Sequence, residues 1–265
     1  MPLLRAPFAV TRPFRRVMAT SAAAPGVRWW TPGHATAVVT GANKGVGWEA
    51  ARILAEQGFA VKLTARSHAD GADAVARLTN AVGPRLAAPP AYYLLEQREP
   101  ASVEAFGAAL ERDCPGGVDV LVCNAGFAFK GSIFGADEAA ETFAVNYAGT
   151  ARVCERLTPL LLASAAATSG AKARVVTVCS MAGKLKILRS EATRRRFEEV
   201  TTRDDVDALM EEFVRSIREG AHATHFCNSM YGMSKLGLAA YTRVLARELG
   251  DRALVSAVCP GQGGY

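Results

Sequence analysis

Thr40-Gly41-Ala42-Asn43-Lys44-Gly45-Val46-Gly47 is the stretch on which the fold turns. An apolar run, Thr36–Thr40, leads into it, and a helical pattern over Val46–Gln57 leads out. Glycines at a strand-to-helix turn let main-chain N–H groups approach a pyrophosphate at the helix N-terminus, where the helix dipole favours an anion. The spacing alone occurs in many glycine-rich turns. Its place directly after a strand is what gives it weight.

Outward from that turn, short apolar runs alternate with amphipathic stretches of helical length. The strands expected are Thr36–Thr40, Ala60–Thr64, Ala91–Leu95, Asp119–Cys123, Arg174–Cys179 and Leu254–Val258. Helices are expected near Val46–Gln57, Ala72–Ala81, Pro100–Arg112, Ala136–Leu162 and Ser229–Leu249. This order predicts an α/β fold with a Rossmann-like, doubly wound parallel sheet between two helical layers, in a single domain over 34–265. The Ala/Ser/Thr/Gly-rich stretch Ala163–Ala173 reads as a surface loop. Met181–Asn228 is an insertion, far longer than an ordinary strand-to-helix loop. Within it, Asp204–Glu219 places Val206, Leu209, Met210, Phe213 and Ile217 on one helical face, with Thr202 as the cap and Gly220 as the stop. No internal repeat is present.

The end of the second strand reads Leu63-Thr64-Ala65-Arg66-Ser67, with no acid to hold a ribose 2′-hydroxyl. Arg66 offers a planar fork to a 2′-phosphate, and Lys44 adds charge from the glycine turn, so NADP(H) is the expected cofactor. The bland alternative makes Arg66 an exposed loop charge.

Further on, Tyr231-Gly-Met-Ser-Lys235 opens a long helix and puts phenol and ammonium on one face. A free tyrosine, with a pKa of about 10, exchanges protons poorly near neutrality, and Lys235 with a positive nicotinamide ring is expected to lower it. Ser180 closes the fifth strand at the carboxyl edge of the sheet, where its hydroxyl can meet a substrate oxygen. Asn146, in Val145-Asn146-Tyr147-Ala148-Gly149-Thr150, is a candidate to hold a water that links Lys235 to solvent. A serine turn, a packed asparagine and a chance YxxxK would each be ordinary alone. Together, in this order, they point to one site.

The formal charge is +6, and Arg5, Arg12, Arg15, Arg16 and Arg28 supply five of it, leaving +1 for the remainder. That distribution argues against a nucleic-acid partner, which needs cations gathered on the folded surface. The first acid in the chain is Glu49, and the basic leader over 1–33 reads as an organelle transit peptide, for mitochondrion or plastid. A disordered tail on a cytoplasmic protein is the alternative. No stretch has the roughly 18 apolar residues that span a bilayer. Cys114, Cys123, Cys154, Cys179, Cys227 and Cys259 form no paired spacing, so they read as core thiols, with neither disulfides nor a metal site expected. Cys227, four residues before Tyr231, is a candidate to line a pocket, though packing is its simpler reading.

Over Thr36–Gly261 the chain resembles the short-chain dehydrogenase/reductase family. The resemblance rests on TGANKGVG at 40–47, CNAG at 123–126, Asn146 in NYAGT, Ser180 in VCS, YGMSK at 231–235 and CPG at 259–261. It implies a catalytic set of Ser180, Tyr231, Lys235 and Asn146. It also implies cofactor contacts from Gly41, Asn43, Lys44, Gly45, Val46, Gly47, Arg66, Asn124, Ala125, Gly126, Tyr231, Lys235, Pro260 and Gly261. Glu96 stands where the family usually has an Asp beside the adenine. The Lys44 turn, the LTAR ending and the insertion before Tyr231 resemble the carbonyl reductase type, including menthone and salutaridine reductase-like enzymes. That type implies a monomer which reduces a ketone or aldehyde with NADPH, the pro-S hydride going to carbon while Tyr231 protonates oxygen. After CPG the family continues into a substrate loop and a seventh strand, whereas here Gly261-Gln262-Gly263-Gly264-Tyr265 follows. The expectation is therefore a six-stranded, shortened version. An alternative is an NADP-binding protein with impaired turnover, and a basic RNA-associated protein is a remote third.

Overall fold

The strand feeding the glycine turn, β1 (Thr36–Val39), is buried along its whole length. So is β4 (Val120–Cys123). Strands that read as continuous apolar runs have both faces covered, and here these two lie side by side in the middle of the sheet. The computed structural model describes residues 29–167 and 171–261. Most of the basic leader and the unusual ending fall outside those residues.

β2 (Ala60–Ala65) and β3 (Ala91–Leu94) lie on one side of β1. β5 (Ala173–Val178) and β6 (Ala253–Val258) lie beyond β4, giving the order β3-β2-β1-β4-β5-β6. Every neighbouring pair is parallel. The chain winds outward from β1 to β3, then returns to β4 and winds the other way. Such a reversal opens a crevice beyond the carboxyl ends of β1 and β4, which is where this sheet type binds ligands.

Two cores separate the layers. On one face, α1 (Gly45–Glu56) and α2 (His68–Val82) pack Ala51, Ala55, Ala74 and Leu78 against Val39, Val61 and Leu63. On the other, α3 (Pro100–Asp113), α5 (Thr150–Ala167) and α8 (Met230–Leu249) cover Leu121, Cys123 and Val175. Asp119 ties the lower edge together, accepting from Thr36 N at 2.7 Å and from Ser164 Oγ at 2.5 Å.

Three expectations need correction. The second helix starts at His68, capped by Ser67, because a serine oxygen that accepts from Asp70 N satisfies a free donor of the first turn. The single helix expected over Ala136–Leu162 divides into α4 (Ala136–Phe143), a widened π-helical turn (Ala144–Gly149) and α5. α5 also runs on to Ala167, into the stretch read as loop, since an alanine-rich segment favours continuing the helix.

The insertion holds two helices, α6 (Glu191–Glu199) and α7 (Arg203–Arg218). Thr202 caps α7 as the sequence suggests, in a reciprocal box with Asp205. Its apolar face buries Val206, Leu209, Met210 and Phe213. The Phe213 ring lies 5.6 Å from Phe143 of α4 and 5.3 Å from Phe226. Tyr147 in the widened turn donates to Asp207 at 2.7 Å, fastening α7 to it. No helix among the described residues is long and apolar enough to cross a membrane.

Candidate active site

The crevice begins with Thr40, whose hydroxyl accepts from both Asn124 N and Ala125 N at 3.0 Å. The Asn124 amide returns the contact, donating to Thr40 O and Gly41 O, each at 3.0 Å. Thr64, at the end of β2, accepts from Gly41 N at 3.0 Å. The turn after β1 and the loop after β4 are thereby locked edge to edge. Gly41 has φ +60, and a Cβ there would lie 2.8 Å from Ala125 Cα, so glycine is required for conformation and for space alike.

This cradle fits a dinucleotide. Gly45 and Val46 open α1 without any side-chain cap, leaving first-turn N–H groups facing the crevice. A Cβ on Gly45 would meet nothing within 4 Å. Lys44 and Arg66 are both exposed beside it and make no ion pair among the described residues. Asn43 contributes its carbonyl, which accepts from Arg77 at 2.5 Å. Glu96 lies past β3, with its main-chain N–H donated to Ser102.

A cleft of about 360 Å³ continues from Val46, Asn124 and Gly126 to Ser180, Tyr231, Lys235, Pro260 and Gly261. That volume is in the range of small-molecule sites. Tyr231 and Lys235 share the first turns of α8, which Ser229 caps by accepting from Gly232 N. Ser180 follows β5 and accepts from Ala182 N at 3.1 Å. Phe127 and Ala128 line the same cleft, adding apolar surface to the one that holds the serine and tyrosine hydroxyls.

Without the nicotinamide, burial governs the electrostatics of the pair. Burial pushes the Tyr231 phenol up from its ordinary value, and the nearby Ser180 hydroxyl opposes that only in part. Lys235 is buried, and burial pulls its ammonium down, partly offset by the neighbouring Cys179 and Cys123 thiols. Its Nζ donates to Val178 O at 2.8 Å and stands 5.7 Å from the Tyr231 ring centre. The lysine makes no direct bond to the phenol, and burial dominates the shift of each.

The Asn146 amide hydrogens are both spent: it accepts from Phe127 N and donates to Phe127 O, both at 2.8 Å, and donates to Ser234 Oγ at 3.1 Å. A water linked to Lys235 can therefore be held only by an acceptor, either the second lone pair of Oδ1 or the main-chain carbonyl, which already accepts from Thr150 at 3.2 Å. A Cβ on Gly126 would lie 3.0 Å from Asn146 Oδ1 and 3.4 Å from Lys235 Nζ, so these three residues crowd one point.

Cys227 does not line the cleft; its thiol points to Ser229 O and burial pushes it up. Cys179 and Cys259 line it instead. Thr40 and Thr64 went unread although both stand in the quoted motifs. Their place at strand ends flanking the glycine turn was the available signal.

The family profile described as short chain dehydrogenase matches residues 35–192. Carbonyl reductase (NADPH) 1 of Mus musculus is 37% identical over 241 residues, covering 85% of this chain and 80% of that protein. Carbonyl reductase (NADPH) 3 of Rattus norvegicus is 38% identical over 238 residues, with the same coverage of each. Salutaridine reductase from Papaver somniferum superposes with a TM-score of 0.74 at 27% identity, covering 86% of each chain. Menthone neomenthol reductase from Mentha piperita gives a TM-score of 0.73 at 28% identity, covering 85% of this chain and 89% of that one.

Proposed function

The chain belongs to the short-chain dehydrogenase family, and on that premise we propose that it reduces ketones or aldehydes with NADPH, using Tyr231, Ser180, Lys235 and Asn146. The observation that carries this reading is the continuous cleft from the glycine turn to Ser180, Tyr231 and Lys235. A buried ammonium is costly unless it is paired, and Lys235 is held by a carbonyl with no carboxylate beside it among the described residues, which marks it as a functional group.

Cofactor binding falls to the Gly41–Gly47 turn, the Asn124–Gly126 loop, and Lys44 and Arg66 at the 2′-phosphate. NADPH, when bound, supplies the reducing hydrogen and its electron pair. Tyr231, kept neutral by burial, donates its proton to the carbonyl oxygen as negative charge grows there. Ser180 donates a hydrogen bond to the same oxygen. The Lys235 charge stabilises the phenolate that remains, and a water at the Asn146 carbonyl returns the proton from solvent. Each role uses a group already held in place, so little reorganisation is needed.

α7 packs against α4 and α8, burying Phe213 beside Phe143 and Met210 beside Gly237. This supports a single-subunit enzyme, and sedimentation as a stable dimer would refute it.

The test is NADPH oxidation by purified protein over quinones, diketones and aromatic aldehydes, with Tyr231→Phe beside it. Loss of a positioned acid should lower kcat by about 10²–10⁴-fold while NADPH binding persists. Binding without turnover in the unmodified chain would overturn the reductase reading.

A further inference from the structure

Gln97 lies just past β3, among charged neighbours, yet it is 4% exposed. Its amide nitrogen donates twice, to Ala125 O at 3.2 Å and to Val145 O at 2.7 Å. Ala125 belongs to the cofactor loop after β4, and Val145 to the widened turn that carries Asn146. A π-helical turn closes its bonds over five residues rather than four, so a carbonyl at its entrance lacks the usual donor. Gln97 supplies one from outside the helix.

The residue is also clamped by its backbone. Its carbonyl accepts from Arg152 at 3.1 Å, and a Cβ on Gly149 would lie only 2.7 Å from that oxygen. Meanwhile Oε1 has no partner among the described residues. Burying an unpaired acceptor costs about 1–3 kcal/mol, a cost that methionine or leucine in the same space would avoid. The two donated bonds are what a glutamine adds here.

We propose that Gln97 is a positioning residue of the reduction, holding the Asn146 turn in register with the Asn124–Gly126 loop. Asn146 in turn grips Phe127 and Ser234, one residue from Lys235. Displacing the turn therefore disturbs the site from two sides, through Ser234 beside Lys235 and through the Phe127 backbone. The proposal rests on the reductase reading of this cleft.

The test uses Gln97→Met, which keeps volume and removes the donors, and Gln97→Glu, whose donor depends on pH. An ionised carboxylate would face two carbonyl oxygens. Once protonated it can donate to one of them, and burial raises its pKa above the ordinary value of about 4.3. Gln97→Met is expected to lose kcat by roughly tenfold, a loss of about one good hydrogen bond. Gln97→Glu should match that loss or exceed it at pH 8 and recover relative to the unmodified protein as pH falls toward 5.5.

Hydrogen exchange over 145–150 without cofactor gives a second readout: faster in Gln97→Met at all pH values, faster in Gln97→Glu only when ionised. Losses of kcat that merely track the folded fraction would overturn the proposal. So would a pH-independent deficit in Gln97→Glu. Should the unmodified chain fail to turn over, the reductase reading falls, and the exchange pattern still decides whether Gln97 holds the turn.

Discussion

Gly47→Ala should damage fold and cofactor site together. A Cβ at Gly47 would lie 2.4 Å from Asn124 Nδ2, 2.6 Å from Gly41 O and 3.1 Å from Ala42 Cα. Two of those neighbours are backbone of the glycine turn, which cannot rotate away as a side chain can. Crowding a packed site costs about 1–3 kcal/mol, and displacing the Asn124 amide weakens a bond worth about 0.5–1.5 kcal/mol. Together these give about 2–4 kcal/mol, or a fall in Tm of roughly 5–15 °C for a chain of this size. NADPH affinity should drop at least about tenfold, since 1.4 kcal/mol of distortion suffices for that. Gly45→Ala is the control for stability alone: without cofactor its Cβ meets nothing within 4 Å, so only the strain of φ +60 remains, about 1–2 kcal/mol. Thermal unfolding without cofactor and NADPH fluorescence titration measure both effects. A Gly47→Ala protein that melts within 2 °C of the original and binds NADPH equally would refute the close-packing argument.

Phe213→Ala, which empties a fully buried site between Phe143 and Phe226, should cost about 3–5 kcal/mol in urea unfolding. A loss under about 1 kcal/mol would mean α7 is not part of the cooperative core. Arg66→Ala should weaken NADPH by roughly 10–150-fold, the worth of a charged hydrogen bond, and leave NADH nearly unchanged; equal loss for both cofactors would place Arg66 outside the 2′-phosphate site. Asp205 is held at about 2 by main-chain and hydroxyl donors of Thr201 and Thr202. A carboxylate depressed in the folded state stabilises above its unfolded value and loses that contribution as pH falls through the folded one. The α7 cap should therefore weaken between pH 4 and 2, and Asp205→Asn should remove that part of the acid dependence of unfolding.

The centre of the sheet was legible because β1 and β4 are buried on both faces, so Val38 and Val122 stand in uninterrupted apolar runs, whereas β3 and β6 at the edges are apolar runs left largely uncovered. Helix length was less legible, because periodicity marks the buried face and says little about where hydrogen bonding stops. That is why α5 runs to Ala167 through residues that look like linker. The widened turn at Ala144–Gly149 was hidden for a related reason: one inserted residue barely changes the apolar spacing of a long helix. Gln97 stayed unread with it, since a glutamine among charged residues looks like surface. Only the folded chain shows that it supplies the donor which that turn lacks.

The spacing of Tyr231 and Lys235 fixes their shared face, yet it does not fix their charge states, and without cofactor burial sets the direction for the phenol. Both shifts have one cause. A cleft dry enough to pull Lys235 down also pushes Tyr231 up, because each loses the solvation of its charged form. In the protein without cofactor burial therefore favours the neutral form of each, with Val178 O as the acceptor for the Lys235 amine. Such a site is poised to give a proton to a carbonyl oxygen, and poorly poised to take one from an alcohol at neutral pH. The reverse reaction needs phenolate, so its rate should climb with pH through the alkaline range while reduction stays level across neutrality. Parallel pH profiles in the two directions would mean that some group other than Tyr231 exchanges the proton.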